Sequence, residues 1–421
     1  MNRVVVTGLG FVSSIGNDVS VVEESLRKLR HGFEPFEGKG DEETPVKLYG
    51  AIKDFDTSSY DQEDWKFPKK YKLSRLQLKT MSPHVLYSYC STMDAIESAK
   101  ISLEEISDPR TGLYSASAGS TTFQDQQLQI MNEKGVMRCS PFCVVIATVG
   151  TINFNLGASL KIKGAVCGMA SACASSAHAL GFAYDEIATG RQDRMIVIGA
   201  EDGNRESILP FAAMRALSQE TDPARASCPF DKDRSGFVGT GGATSMILES
   251  AEIAKARGAP IYAEFLGWGQ AADGYSPAVS QPGGFGLARS MCNALEASGL
   301  TAEEVDYINA HGTSTPVGDL SEISALKSVF GVNGSSPRIS STKALTGHGL
   351  SLAGALEAAI CCLAIKNGFT PGSAHIEELE PEANGLEIIR ETLPVGPKTV
   401  LSNSSGFGGA NVTLAFKTWE D

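Results

Sequence analysis

Basic residues are in deficit in this chain of 421 residues: 36 lysines and arginines stand against 49 aspartates and glutamates, a formal net charge of −13 at pH 7. That balance argues against a general binder of nucleic acid or anionic membrane, and any acidic partner needs a local basic patch. Paired cysteines are also missing. The nine cysteines are an odd number and contain no Cys-x-x-Cys. Cys139/Cys143 and Cys361/Cys362 lack the spacing of paired metal ligands, so reduced thiols are expected. The opening Met1–Gly8 has too short an apolar run for a secretory signal, and no stretch is expected to reach the length that crosses a bilayer. A cytoplasmic location is therefore expected. With 42% hydrophobic and 20% charged residues, general disorder is excluded.

What is present centres on Ala170-Ser171-Ala172-Cys173-Ala174-Ser175-Ser176-Ala177-His178. Lys163–Met169 before it is short and apolar, which predicts a buried strand. After it, Ala174, Ala177, Leu180, Gly181, Tyr184, Ile187 and Ala188 recur at helical spacing until Gly190. Cys173 is thus placed at the first turn of a helix, where free N–H groups and the helix dipole favour thiolate and one N–H faces a developing oxyanion. The competing reading is a small buried cysteine among alanines and serines.

Taken in order, Val4–Val6 reads as a buried strand followed by a glycine-rich turn, whose Gly8-x-Gly10 spacing to Gly16 is wrong for a dinucleotide fingerprint. Val19–Leu29 reads as a helix. Residues 32–79 read as a long polar surface excursion that ends in the basic run Lys66, Lys69, Lys70, Lys72, Arg75 and Lys79. Apolar strands alternating with helices then indicate an α/β architecture with parallel sheets covered on both faces. Asp231 and Asp233 suit capping or turns better than a calcium loop. A second half opens near Pro260, and no repeat is visible residue by residue. That half supplies two polar loops, Asn309–Asp319 with His311 and Ser341–Gly349 with His348, the latter before an apolar helix Leu350–Ile365. Ser402–Asn411 is a glycine-rich turn between strands.

A thiol at a helix start, two histidines in loops and a glycine-rich backbone turn are the parts of acyl transfer through a thioester. Two purely structural histidines are the main alternative. A zinc site from Cys173, His311 and His348 lacks close-spaced ligand pairs and a fourth ligand.

Five segments in order carry a resemblance: Val5-x-Thr7-Gly8-x-Gly10, Ser171–Ser176, Asn309–Asp319, Ser341-Thr342-Lys343-x-x-Thr346-Gly347-His348, and Ser402-Asn403-Ser404-x-Gly406-Phe407-Gly408-Gly409. Together they resemble the elongating β-ketoacyl-[acyl-carrier-protein] synthases over nearly the whole chain. The resemblance implies a thiolase-like fold, two similar α/β halves in α-β-α-β-α layers. Residues 1–255 would carry the cysteine half and 256–421 the histidine half. It further implies that Cys173 holds the growing acyl chain, and that His311 and His348 polarise the malonyl thioester for decarboxylative condensation. The Cys173 and Phe407 N–H groups would meet the oxyanion. Lys343 and Glu322 would support the histidines, Thr313 and Thr315 would bind the phosphopantetheine arm, Phe237 with Glu322 would line the substrate site, and Phe407 would also gate it. No metal, nucleotide or redox cofactor is implied. The implied partners are an acyl carrier protein, docked on Arg75, Lys79, Lys134 and Arg138, and a second ketosynthase chain, identical or related.

Three departures bear on substrate. Gly349-Leu350-Ser351-Leu352 replaces the usual residues after His348, Ser405 stands where an aromatic residue is usual, and Ser235 replaces an aspartate. They spare the implied catalytic groups and suggest altered selectivity, in fatty-acid elongation or in a specialised polyene or polyketide pathway. The alternatives are a thiolase or acyltransferase that does not decarboxylate, and a chain-length-determining partner subunit.

Overall fold

The computed structural model describes residues 1–36, 44–332 and 336–420, so part of the expected polar excursion, residues 37–43, lies outside the described residues. The first part of the chain forms β1 (Val4–Val12), β2 (Phe33–Pro35), β3 (Leu48–Gly50), β4 (Thr111–Ala116), β5 (Val166–Met169), β6 (Arg194–Glu201) and β7 (Gly242–Ser250). The second forms β8 (Ala263–Ala272), β9 (Tyr307–Asn309), β10 (Arg338–Ser340), β11 (Glu387–Ile388), β12 (Thr399–Gly406) and β13 (Ala410–Lys417). β2 and β3 make a small separate ribbon, and the other strands join in the order β11-β10-β9-β12-β13-β8-β1-β7-β6-β4-β5.

That order contains the repeat that the residues conceal. Outward from β1 the strands run β1-β7-β6-β4-β5, and outward from β8 they run β8-β13-β12-β9-β10. In both halves the first two pairings are antiparallel and the next two parallel. The halves meet where Val4–Val6 pair with Ala263–Phe265. Helices Ser175–Ala188 and Ala353–Asn367 pack against each other and against strands of both halves, sharing one hydrophobic core. Pro83–Ser98 and Thr151–Ser159 cover the outer face of the first half, and Phe285–Ser298 and Pro316–Phe330 that of the second. The result is the layered thiolase-like arrangement, helix-sheet-helix-sheet-helix.

Several local expectations are corrected. β1 runs straight through Gly8 and Gly10 to Val12 instead of turning there. A Cβ on Gly10 would stand 1.9 Å from the Ser91 carbonyl oxygen, and one on Gly8 would stand 2.3 Å from that of Ala95. The glycines therefore let helix Pro83–Ser98 lie close on the strand. β5 is not buried: it is the exposed end of the sheet, with Val166 45% accessible. The helix expected from Leu320 begins at Pro316, whose fixed φ and missing N–H suit a first helical position. The described part of the 32–79 excursion carries the β2–β3 ribbon and short helical turns.

One segment does reach membrane-crossing length and composition: Leu350–Asn367, 18 residues of mean hydropathy 1.4. It is 83% buried within the protein. Its apolarity follows from being enclosed on all sides, and Gly354 lets it approach helix Ser175–Ala188 at Ala177. Asp231 is a fully buried cap, accepting from the backbone N–H groups of Asp233, Glu377 and Glu378.

The close approach at β1 has a direct test. Gly10→Ala pushes a methyl group into helix backbone that cannot yield, so unfolding in denaturant should show a loss of about 2 kcal/mol or more. A loss below about 0.5 kcal/mol, the size of a neutral surface change, would contradict this packing.

Candidate active site

The site is assembled from loops that follow strands of the two halves. After β5 the chain turns through Ser171–Ala174 before helix Ser175–Ala188 begins. Ala172 holds φ at 51°, a left-handed conformation costly for a residue with a Cβ. The Ser175 hydroxyl stabilises the turn, accepting from the Ser171 N–H at 2.8 Å and donating to the Ala172 carbonyl at 2.6 Å. Cys173 sits one residue before the helix N-cap, Ala174, rather than in the first turn. Its thiol is buried, and that burial pushes it up to about 12, against the pull of the Lys343 cation. The expected thiolate is thus corrected to a resting thiol, because the cost of an anion away from water exceeds what a nearby cation and a helix end return. The sulfur lies 3.1 Å from Nε2 of His348.

His348 is clamped by its own backbone, with its N–H donating to the Val238 carbonyl at 2.7 Å and its carbonyl accepting from the Thr240 N–H at 3.2 Å. The ring of Phe237 stands edge-on to it, centroids 5.1 Å apart. His311 follows β9. Glu322 holds that loop by accepting from the N–H groups of His311 at 2.9 Å and Gly312 at 2.7 Å, and Asn403 donates to the same carboxylate at 3.2 Å. The two imidazoles face each other almost perpendicularly, 5.3 Å between centroids. Both are held well below the ordinary histidine range, by burial first and by Lys343 next. They are therefore neutral at neutral pH. Lys343 does not reach the cavity; it pairs with Glu357, which burial raises to about 7 against the opposing influence of Lys343.

The β12–β13 turn closes the third side. A Cβ on Gly406 would lie 2.5 Å from the Ser171 carbonyl oxygen and 3.2 Å from the Cys173 nitrogen, so only glycine brings this turn against the cysteine backbone. One cavity is then lined by Cys173, His311, His348, Thr313, Thr315 and Phe407. Phe237 and Glu322 also border it. The Thr313 and Thr315 hydroxyls are 2.9 Å apart. Phe407 is 40% accessible at the mouth, 6.0 Å from the ring of Phe211. Among the described residues no group of three or more His, Cys, Asp and Glu side chains is arranged to hold a metal ion.

The basic residues Arg75, Lys79, Lys134 and Arg138 stand outside this cavity. Arg75 and Lys79 share Glu63 as a partner. Lys79 borders a surface depression with Gln126, Gln127 and Ser140, which brings the Arg75–Lys79 segment beside the one bearing Lys134 and Arg138. Sequence reasoning missed Glu357, Asn403 and Phe211. Glu357 had a signal: it is the lone carboxylate of a helix otherwise apolar to Ile365, and a buried charge there calls for a buried partner. Asn403 stands inside the Ser402–Gly409 segment but its bond to Glu322 is a fold contact far away in sequence, and Phe211 had no signal.

This geometry sets a thiol against a neutral imidazole, points a second imidazole into the same cavity, and lays the β12–β13 turn against the cysteine backbone. Residues 1–254 match the beta-ketoacyl synthase N-terminal domain and residues 262–377 its C-terminal domain. The 3-oxoacyl-[acyl-carrier-protein] synthase 1 of Haemophilus influenzae is 38% identical over 425 residues, covering all of both chains. The ishigamide ketosynthase/chain length factor structure superposes with a TM-score of 0.89 at 28% identity, covering 100% of each chain. A type II polyketide ketosynthase bound to its acyl-carrier protein and a hexaketide superposes at 0.84 and 26% identity, again over 100% of each chain. The chain belongs to the beta-ketoacyl synthase family.

Proposed function

We propose that this chain is a β-ketoacyl-[acyl-carrier-protein] synthase that condenses malonyl-carrier protein with an acyl group held on Cys173. The observation that carries the reading is the 3.1 Å contact between the Cys173 sulfur and His348 Nε2, with His311 facing the same space. In the first half-reaction the sulfur attacks the carrier's acyl thioester. Its proton leaves with the departing phosphopantetheine sulfur, while the Nε2–H of His348 faces the cysteine sulfur at 3.1 Å, so a thioester is exchanged for a thioester. A thiol of raised pKa is intrinsically the stronger nucleophile once its proton is taken. In the second, the Nε2–H groups of His311 and His348 donate to the malonyl thioester oxygen, carbon dioxide leaves, and the resulting carbanion attacks the acyl-Cys173 carbonyl. The N–H groups of Cys173 and Phe407 hold the tetrahedral oxyanion, which collapses to expel the sulfur. Thr313 and Thr315 offer paired hydroxyls to the phosphopantetheine arm. This chemistry calls on no metal, nucleotide or redox cofactor.

The carrier protein docks on Arg75, Lys79, Lys134 and Arg138, opposite charges guiding the encounter. A second ketosynthase chain, identical or related, covers the exposed edge at β5, whose open backbone groups and accessible Val166 favour strand pairing over solvent. The departures after His348 and at Ser405 favour a selectivity unlike that of a housekeeping fatty-acid enzyme, with polyene or polyketide elongation the specialised alternative. The intact cysteine-histidine contact disfavours a silent chain-length subunit.

Replacing Cys173 with alanine should lower condensation by at least about 10³-fold while malonyl-carrier decarboxylation, followed as released carbon dioxide, continues. Loss of both would contradict the division of labour between thiol and histidines. The histidine reading has its own pH signature. Because burial lowers both imidazoles, the neutral donors persist as pH falls, and the loss comes only below the usual histidine range. Decarboxylation should therefore stay flat from about pH 7.5 to 6, whereas a half-loss near 6.5, the ordinary histidine value, would contradict it. For docking, Arg75→Glu with Lys79→Glu should raise KM for acyl-carrier protein about tenfold and leave KM for a small acyl thioester unchanged. Equal effects on both would remove the docking assignment.

A further inference from the structure

The turn that bears Phe407 is held by a hydrogen-bond relay that begins at Ser405. Ser405 and Asn411 face each other as a cross-strand pair at the base of the β12–β13 turn. The Ser405 hydroxyl donates to Asn411 Oδ1 at 2.7 Å. The Asn411 amide, 3% accessible, donates to Asp273 Oδ1 at 2.8 Å and to the Gly409 carbonyl at 2.9 Å. Asp273 completes the circuit, its N–H donating to the same Gly409 carbonyl at 2.9 Å and its other carboxylate oxygen accepting from the Gln281 N–H at 3.1 Å. From the segment that follows β8, the Pro277 carbonyl accepts from the Gly408 N–H at 2.8 Å. Gly408 and Gly409 lie at φ 81° and 76°. Such glycines have little intrinsic preference for one turn geometry, so contacts from outside must supply it. Gly286 makes room for the relay, since a Cβ there would strike both the Asp273 carboxylate and the Asn411 amide.

We propose that Ser405 is a positioning residue for acyl transfer: through Asn411 and Asp273 it fixes the turn whose Phe407 N–H faces the oxyanion on Cys173. The proposal rests on the condensing-enzyme reading above. Its logic is geometric. The serine orients the Asn411 carbonyl, which leaves the amide nitrogen aimed at Asp273 and Gly409, so the backbone donor is set before substrate arrives and costs no reorganisation during reaction. A phenylalanine at 405 has no hydroxyl with which to make this link. The relay touches neither histidine, so decarboxylation does not depend on it.

Ser405→Ala, Ser405→Thr and Asp273→Asn separate this from a general structural role. Ser405→Ala should acylate Cys173 about tenfold more slowly, with malonyl-carrier decarboxylation within about twofold of wild type. Ser405→Thr, which keeps the hydroxyl, should restore acylation. Asp273→Asn should slow acylation alone, and the double variant with Ser405→Ala should be no slower than the slower single, as expected for one relay. Hydrogen exchange at the Phe407–Gly409 amides, read without substrate, should accelerate in Ser405→Ala. Unchanged exchange, a parallel fall of acylation and decarboxylation, or additive losses would overturn the proposal. Faster exchange in Ser405→Ala with a wild-type enzyme that accepts no acyl or malonyl donor would instead overturn the condensing-enzyme reading and leave the relay as a determinant of the turn's geometry.

Discussion

The contact between the Cys173 sulfur and His348 Nε2 joins residues 175 positions apart, one from each half of the chain. Holding them together is what the two central helices, the backbone bridge at Val238–Thr240 and the glycine at 406 accomplish. Cys173 follows β5 and His348 follows β10, which occupy equivalent places in the repeated strand order. Two copies of one topology, packed around shared helices, thus bring their corresponding loops face to face. The seam between the halves is where the chemistry sits.

Burial of this seam sorts the charges. Lys343 is the cation that acts on all three reactive groups. On the histidines, loss of water and the cation act in the same direction, both favouring the neutral ring. On Cys173 they oppose each other, and loss of water prevails. The resting site therefore holds a thiol and two uncharged imidazoles, which can accept or donate a hydrogen bond without first shedding a charge. Glu322 and Glu357 keep this arrangement rigid by binding, respectively, the backbone of the His311 loop and the lysine itself.

Most of the candidate site was legible because its residues carry their chemistry in their type: Cys173, His311 and His348 stand in short loops between readable strands and helices, and Lys343 opens the short helix Lys343–Thr346 just before His348. The α/β class was legible from alternation, but the expected parallel sheets are mixed, antiparallel around β1 and β8 and parallel toward both ends. Other features depended on distances that sequence periodicity does not encode. Gly8 and Gly10 resembled a turn but serve a helix packed on a strand. The edge strand at β5 is as apolar as a buried one, and only the strand order shows that it ends the sheet. The apolar run at Leu350–Asn367 reached membrane-crossing length because it is enclosed between strands of both halves. The repeat was hidden for a further reason: strand order and direction are kept while the side chains differ, so only topology reveals it. The protonation of Cys173 ran against expectation, since a helix end is visible in sequence and the depth of burial is not.

The central claim, that Cys173 carries the acyl group, is tested most directly by intact-protein mass spectrometry after incubation with a panel of acyl-carrier proteins, beside the Cys173→Ala variant. The account predicts a mass increase equal to the acyl group in the native protein, absent in the variant, with the favoured chain length marking the pathway. An equal increase in both proteins, or none with any donor, would contradict it.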